Sequence, residues 1–183
     1  ASIRNRTRSK WSFGCQDCYS LHYDDPANRD KRNFKTKERD VCDRVKAAFP
    51  HHTFVIDKRI EGGTSLRRPD ILLILDTHAL IIEIDEHAHR TYECSYENER
   101  LMEISRDLQH RPLVMLRFNP DSYEDQNGKK VPSCWVLNKK GVCSVPNTKK
   151  RAWEDRVRAL VEQIEYCIKY PTEKTVEIVE LFY

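Results

Sequence analysis

The chain has no apolar run of membrane-spanning length, no visible signal peptide, no internal repeat and no low-complexity segment. Those absences point away from a membrane protein and from an exported one. A disulfide framework is lacking too. The seven cysteines are an odd number, scattered through a chain rich enough in apolar residues to build a core. This argues for a reducing compartment, so an intracellular setting, nucleus or cytoplasm, is expected. Strong net charge is also missing. At +3 the average surface is not one that binds polyanions everywhere. Aromatic residues do not interleave with basic ones in any regular way, so no stacking platform for single strands is evident.

What is present is local. A length of 183 residues suits one domain with a small appendage. Positive charge gathers in residues 1–39, where ten Lys and Arg face five acids, and again at Lys149-Lys150-Arg151. Such clusters suit phosphate contact, or simply a solvated arm. Residues 1–34 lack periodicity and read as an irregular arm. Within them Cys15-Gln16-Asp17-Cys18, followed by His22, forms half a zinc site. Two thiolates two residues apart fit one tetrahedral ion, and His22 adds a third donor. Cys42 and Cys94 are the candidates for a fourth. The plain alternative is that Cys15 and Cys18 are reduced thiols in a loop.

The centre of the chain is residues 67–89. Ile71–Leu75 and Ala79–Ile84 are short Ile-rich runs separated by Asp76-Thr77-His78, which predicts a β-hairpin. Alternation along a strand places Glu83 and Asp85 on one face and Ile82 and Ile84 on the other. Asp70 opens the first strand, at the end where the second finishes. Three acids at one end of an apolar hairpin need a proton or a cation to sit together, and hard divalent cations prefer oxygen. Arg67 and Arg68 stand immediately before the site, placed to clamp a phosphate or to neutralise the acids.

Elsewhere the periodicity predicts a helix over 36–49 with Val41, Val45 and Phe49 buried. Glu38 lies on the same face, as a further ligand or as a favourable charge at a helix N-terminus. A strand is predicted over 51–58, a helix over 96–109, a strand over 112–119 and a polar loop over 121–132. A hairpin over 133–145, a helix over 151–169 and a strand over 175–182 complete the chain. The order predicts an α/β domain with a mixed central sheet.

Arg68-Pro69-Asp70, then Glu83-Ile84-Asp85 thirteen positions beyond Asp70, with His87 and His89 after it, resembles the PD-(D/E)XK nuclease superfamily. The pattern looks closest to the very-short-patch-repair-like branch. Tyr92, Cys94, Glu99-Arg100 and Arg117 to Asp121 are similar to a subgroup often encoded by large DNA viruses and by mobile or homing elements. The resemblance spans about residues 35–125 and implies a restriction-endonuclease-like core with helices flanking the sheet. Residues 131–183 would add a C-terminal hairpin, helix and strand, and 1–34 the basic arm.

The resemblance also implies roles. Asp70 would bind Mg²⁺ or Mn²⁺ with Glu83 or Asp85, and Glu38 would match a helix-borne acid that several branches add. The common pattern has Lys where Asp85 stands, so His89 becomes the natural proton carrier at neutral pH, with His87 in reserve. The plain alternative is that both histidines are ordinary polar residues following a strand. The implied activity is metal-dependent hydrolysis of DNA by in-line water attack, leaving 5′-phosphate and 3′-hydroxyl ends. RNA cleavage on the same scaffold and a non-catalytic nucleic-acid-binding module are the alternatives. Partners would be DNA, with a second copy or a larger nucleic-acid complex, and no membrane. Arg67, Arg68, Lys149 and Lys150 are the candidate nucleic-acid contacts.

Overall fold

A computed structural model describes residues 35–86, 94–139 and 141–183, with side chains of 94–97 set aside. The arm at 1–34, with Cys15, Cys18 and His22, lies outside the described residues, as do His87 and His89.

Helix α1 spans Thr36–Ala48, and strand β1 follows at Val55–Ile56. Strands β2 (Ile71–Ile74) and β3 (Ala79–Ile84) form the expected antiparallel hairpin, closed by the Leu75 amide donating to the His78 carbonyl at 2.9 Å. Helix α2 (Cys94–Asp107) crosses over to β4 (Leu113–Phe118), which pairs with β3 in parallel. Two small hairpins follow, β5 (Tyr123–Glu124) with β6 (Lys130–Val131), and β7 (Val136–Leu137) with β8 (Cys143–Ser144). Helix α3 (Lys150–Lys169) and strand β9 (Val176–Leu181) end the chain. The main sheet runs β1-β2-β3-β4-β9, antiparallel at the β1 side and parallel at the β9 side. A mixed α/β fold with a mixed sheet between helices is therefore what the sequence folds into.

Burial explains the pattern. Every residue of β3 is buried, because helices cover both faces of the sheet. Leu80, Ile82 and Ile84 pack with Val41 and Val45 of α1 and with Trp153, Leu160 and Ile164 of α3. Ala79 and Ile81 pack on the other face with Ile104 of α2 and with Leu108 just after it. The Trp153 indole N–H donates to Asp40 at 2.8 Å and so ties α3 to α1.

Two expectations change. The strand expected over 51–58 shrinks to Val55–Ile56, because the chain turns just after Pro50 and Asp57 sits at φ 45° in the left-handed region. The polar loop over 121–132 contains the β5–β6 hairpin. Its tip is Asn127-Gly128, with Gly128 at φ 74° and the Asp125 carboxylate accepting from the Asn127 and Lys129 amides at 2.9 Å each. Among the described residues no helix is long and apolar enough to cross a membrane.

Candidate active site

The hairpin register pairs Ile71 with Ile82, which brings Asp70 to the level of Glu83 at the open end of the hairpin. The Ile84 amide donates to Asp70 Oδ2 at 2.7 Å, so the carboxylate is fixed across that opening. The register of β3 with β4 continues beyond the strand, where the Asp85 amide donates to the Phe118 carbonyl at 2.9 Å. Glu38 comes from the first turn of α1.

Electrostatics join these acids into a group. Burial, then the negative charge of Glu83, pushes Asp70 up to about 7. Burial likewise lifts Glu83 to about 7 against the opposing charge of Arg100, with Asp85 adding to the rise. Glu38 reaches about 7 through burial and the charge of Asp70. Glu38, Asp70 and Glu83 are thus coupled carboxylates that resist carrying their full charge together. The acids the sequence singles out act on one another in a chain, Asp85 on Glu83, Glu83 on Asp70 and Asp70 on Glu38.

Each acid also has an internal partner. One nitrogen of Arg100, Nη2, donates to both oxygens of Glu83 at 2.9 Å. The Lys35 ammonium lies 3.1 Å from Glu38 and 2.6 Å from Asp57. Burial works against the Lys35 charge, but Asp57 and Glu38 outweigh it and push its pKa up to about 12. Asp85 accepts from Arg117 Nε at 2.7 Å and from the Tyr183 hydroxyl. Burial and that contact with Asp85 push the Tyr183 phenol up. Among the described residues, no three acidic, His or Cys side chains are gathered closely enough to hold an ion as they stand. The expected convergence of Asp70, Glu83 and Asp85 is therefore partial. Asp70 and Glu83 face the same end, while Asp85 is taken up by Arg117 and Tyr183. In donor chemistry the set still fits a hard divalent cation, since Glu38, Asp70 and Glu83 supply carboxylate oxygens whose mutual repulsion a cation relieves.

Three of the four expected phosphate contacts have partners within the protein. Arg67 pairs with Glu103, and Arg68 donates to the Asp57 carbonyl at 3.0 and 2.5 Å. Lys149 donates to the Ser133 carbonyl at 2.7 Å, while Lys150 is exposed at the start of α3. Cys42 packs beside Val41 and Val45, and burial pushes its thiol up to about 12. That thiol belongs to the core. Lys37 is buried and lies 2.7 Å from Asp121 and 3.4 Å from Glu86, an ion pair beside the site that charge patterning alone did not reveal. Lys35, Arg100, Arg117 and Tyr183 likewise carry no local sequence signal for their partners, although Arg100 and Arg117 fall within the motif stretches quoted above.

The chain matches no family model, no curated protein and no solved structure.

Proposed function

We propose that the chain is a divalent-metal-dependent endonuclease of the PD-(D/E)XK type that hydrolyses phosphodiester bonds in DNA. One observation carries this reading. Asp70 and Glu83, from the two arms of the hairpin, and Glu38, from a helix, meet at one end of that hairpin, Glu83 buried and the other two half-buried, and are coupled there. Gathering carboxylates where water is scarce costs stability that apolar residues would not, which favours a functional role.

Asp70 and Glu83 would hold the ion, with Glu38 supporting it from α1. When bound, a divalent cation supplies Lewis acidity toward a phosphate oxygen and lowers the pKa of a coordinated water. The chain itself provides the rest. The Ile84 amide keeps Asp70 aimed across the hairpin mouth. Lys35 balances Glu38 and Asp57 at the same end. In this reading Asp85 orients Arg117 and Tyr183 and is not a ligand, which leaves proton transfer to His89.

The substrate test is cleavage of a DNA duplex and of an RNA duplex of the same sequence, each with Mg²⁺ and with Mn²⁺. The expected result is cutting of DNA that Glu83→Ala abolishes. Cutting of RNA alone would move the assignment to a ribonuclease. Binding without cutting of either would leave a nucleic-acid-binding module.

A further inference from the structure

We propose that Arg100 is a built-in competitor for the cation at this site, seated on Glu83 until a divalent ion displaces it. The inference rests on reading Asp70 and Glu83 as metal ligands. Its starting point is the contact itself. A single guanidinium nitrogen straddles both oxygens of Glu83 at 2.9 Å, so neither carboxylate oxygen is left without that cation. An ion taking Glu83 as a ligand must share or replace this contact. Because both are cations competing for one buried carboxylate, sharing is unfavourable and exchange is the expected course.

Burial sets the direction of exchange. The Glu83 side chain is 6% exposed and that of Arg100 is 23% exposed, so the arginine is the member with access to water. Its backbone is held by α2, which packs through Ile104 against the sheet. The exchange proceeds by rotation of a long, flexible side chain toward solvent. The positive charge of Arg100 also reaches Asp70, so one guanidinium opposes an ion at both carboxylates. The alternative is a buried ion pair with a purely structural role. The two differ in sign. Where Arg100 serves to hold Glu83 in place, removing it loosens the ligand and weakens metal affinity, whereas removing a competitor tightens it.

The test is calorimetric titration of Mn²⁺ into the full chain at about pH 8. Wild type, Arg100→Gln and Arg100→Lys are compared, with thermal unfolding of each as a check on folding. Arg100→Gln should bind Mn²⁺ roughly tenfold more tightly or better, from the loss of one unit charge at ion-pair distance. Arg100→Lys keeps the charge and should stay near wild type. Binding seen only in Arg100→Gln, and lost again when Asp70→Ala is added, would also support the proposal. Equal or weaker binding by a folded Arg100→Gln, while Asp70→Ala still loses the ion, would overturn the competitor role and leave the metal site standing. Binding unchanged in Asp70→Ala and Glu83→Ala, or absent from every variant, would remove the metal site and this inference with it.

Discussion

The backbone N–H of Ile84 donates to the carboxylate of Asp70 at 2.7 Å, joining the end of β3 to the residue that opens β2. An amide donor favours an ionised Asp70, yet burial and the nearby charge of Glu83 prevail and push its pKa up. At the hairpin mouth, burial and the neighbouring acid thus outweigh the donor.

Stability should depend on pH and on divalent ions in a defined sense. Asp70, Glu83 and Glu38 titrate near 7 in the folded chain, above the ordinary range of about 4 to 4.5 for unfolded carboxyls. Between those values the folded chain holds protons that the unfolded chain has released. Raising pH through that window lowers stability, and the loss levels off above the folded values. The metal-free protein should melt at a lower temperature near pH 8 than near pH 5. The shift corresponds to a few kcal/mol at most, since Glu38 is only part-buried. Mn²⁺ should recover part of the loss near pH 8. Calorimetry across that range with chelator or Mn²⁺ checks this. Stability that rises with pH without metal would contradict it.

Asp85 should behave differently from Asp70. It accepts from Arg117 and Tyr183, and Arg117 also lies 5.4 Å from the centre of the Tyr183 ring. Tyr183→Phe should cost about 1 kcal/mol in denaturant unfolding and leave metal-dependent cleavage in place. Asp85→Asn should weaken the Arg117 contact while Mn²⁺ binding persists. Loss of Mn²⁺ binding in a folded Asp85→Asn protein would restore Asp85 as a ligand.

Gly63 is required by a close approach on the far side of the sheet. A Cβ there would come within 2.6 Å of Asp107 Cγ. Asp107 accepts from the Thr64 amide at 2.8 Å and the Ser65 amide at 3.2 Å, fastening this loop to the end of α2. Gly63→Ala should destabilise by about 1–3 kcal/mol through overpacking. The same change in an Asp107→Gly background should cost less, because the Cγ at 2.6 Å and the Cβ at 2.8 Å that the new methyl would meet are both gone. Strictly additive losses in urea unfolding would show that Asp107 is not the obstacle.

Periodicity was enough to locate α1, α3 and the β2–β3 hairpin, because Val41, Val45, Trp153 and Ile82 repeat at helix or strand spacing. The β5–β6 hairpin escaped notice because two-residue strands are too short to alternate. At the site, Asp70 and Glu83 were readable because a short hairpin fixes their separation, and Glu38 because it lies on the buried stripe of a helix. The partners of the acids were not. Arg100 reaches Glu83 from a separate helix, and Tyr183 reaches Asp85 across 98 positions of chain. Such pairs leave no spacing to read, since tertiary packing alone brings them together.

The most direct test of the central claim is cleavage of supercoiled plasmid by wild type and by Asp70→Ala, with Mg²⁺ and with EDTA. The account expects nicked or linear product only from wild type with Mg²⁺. Equal cutting by Asp70→Ala, or cutting by wild type in EDTA, would contradict it.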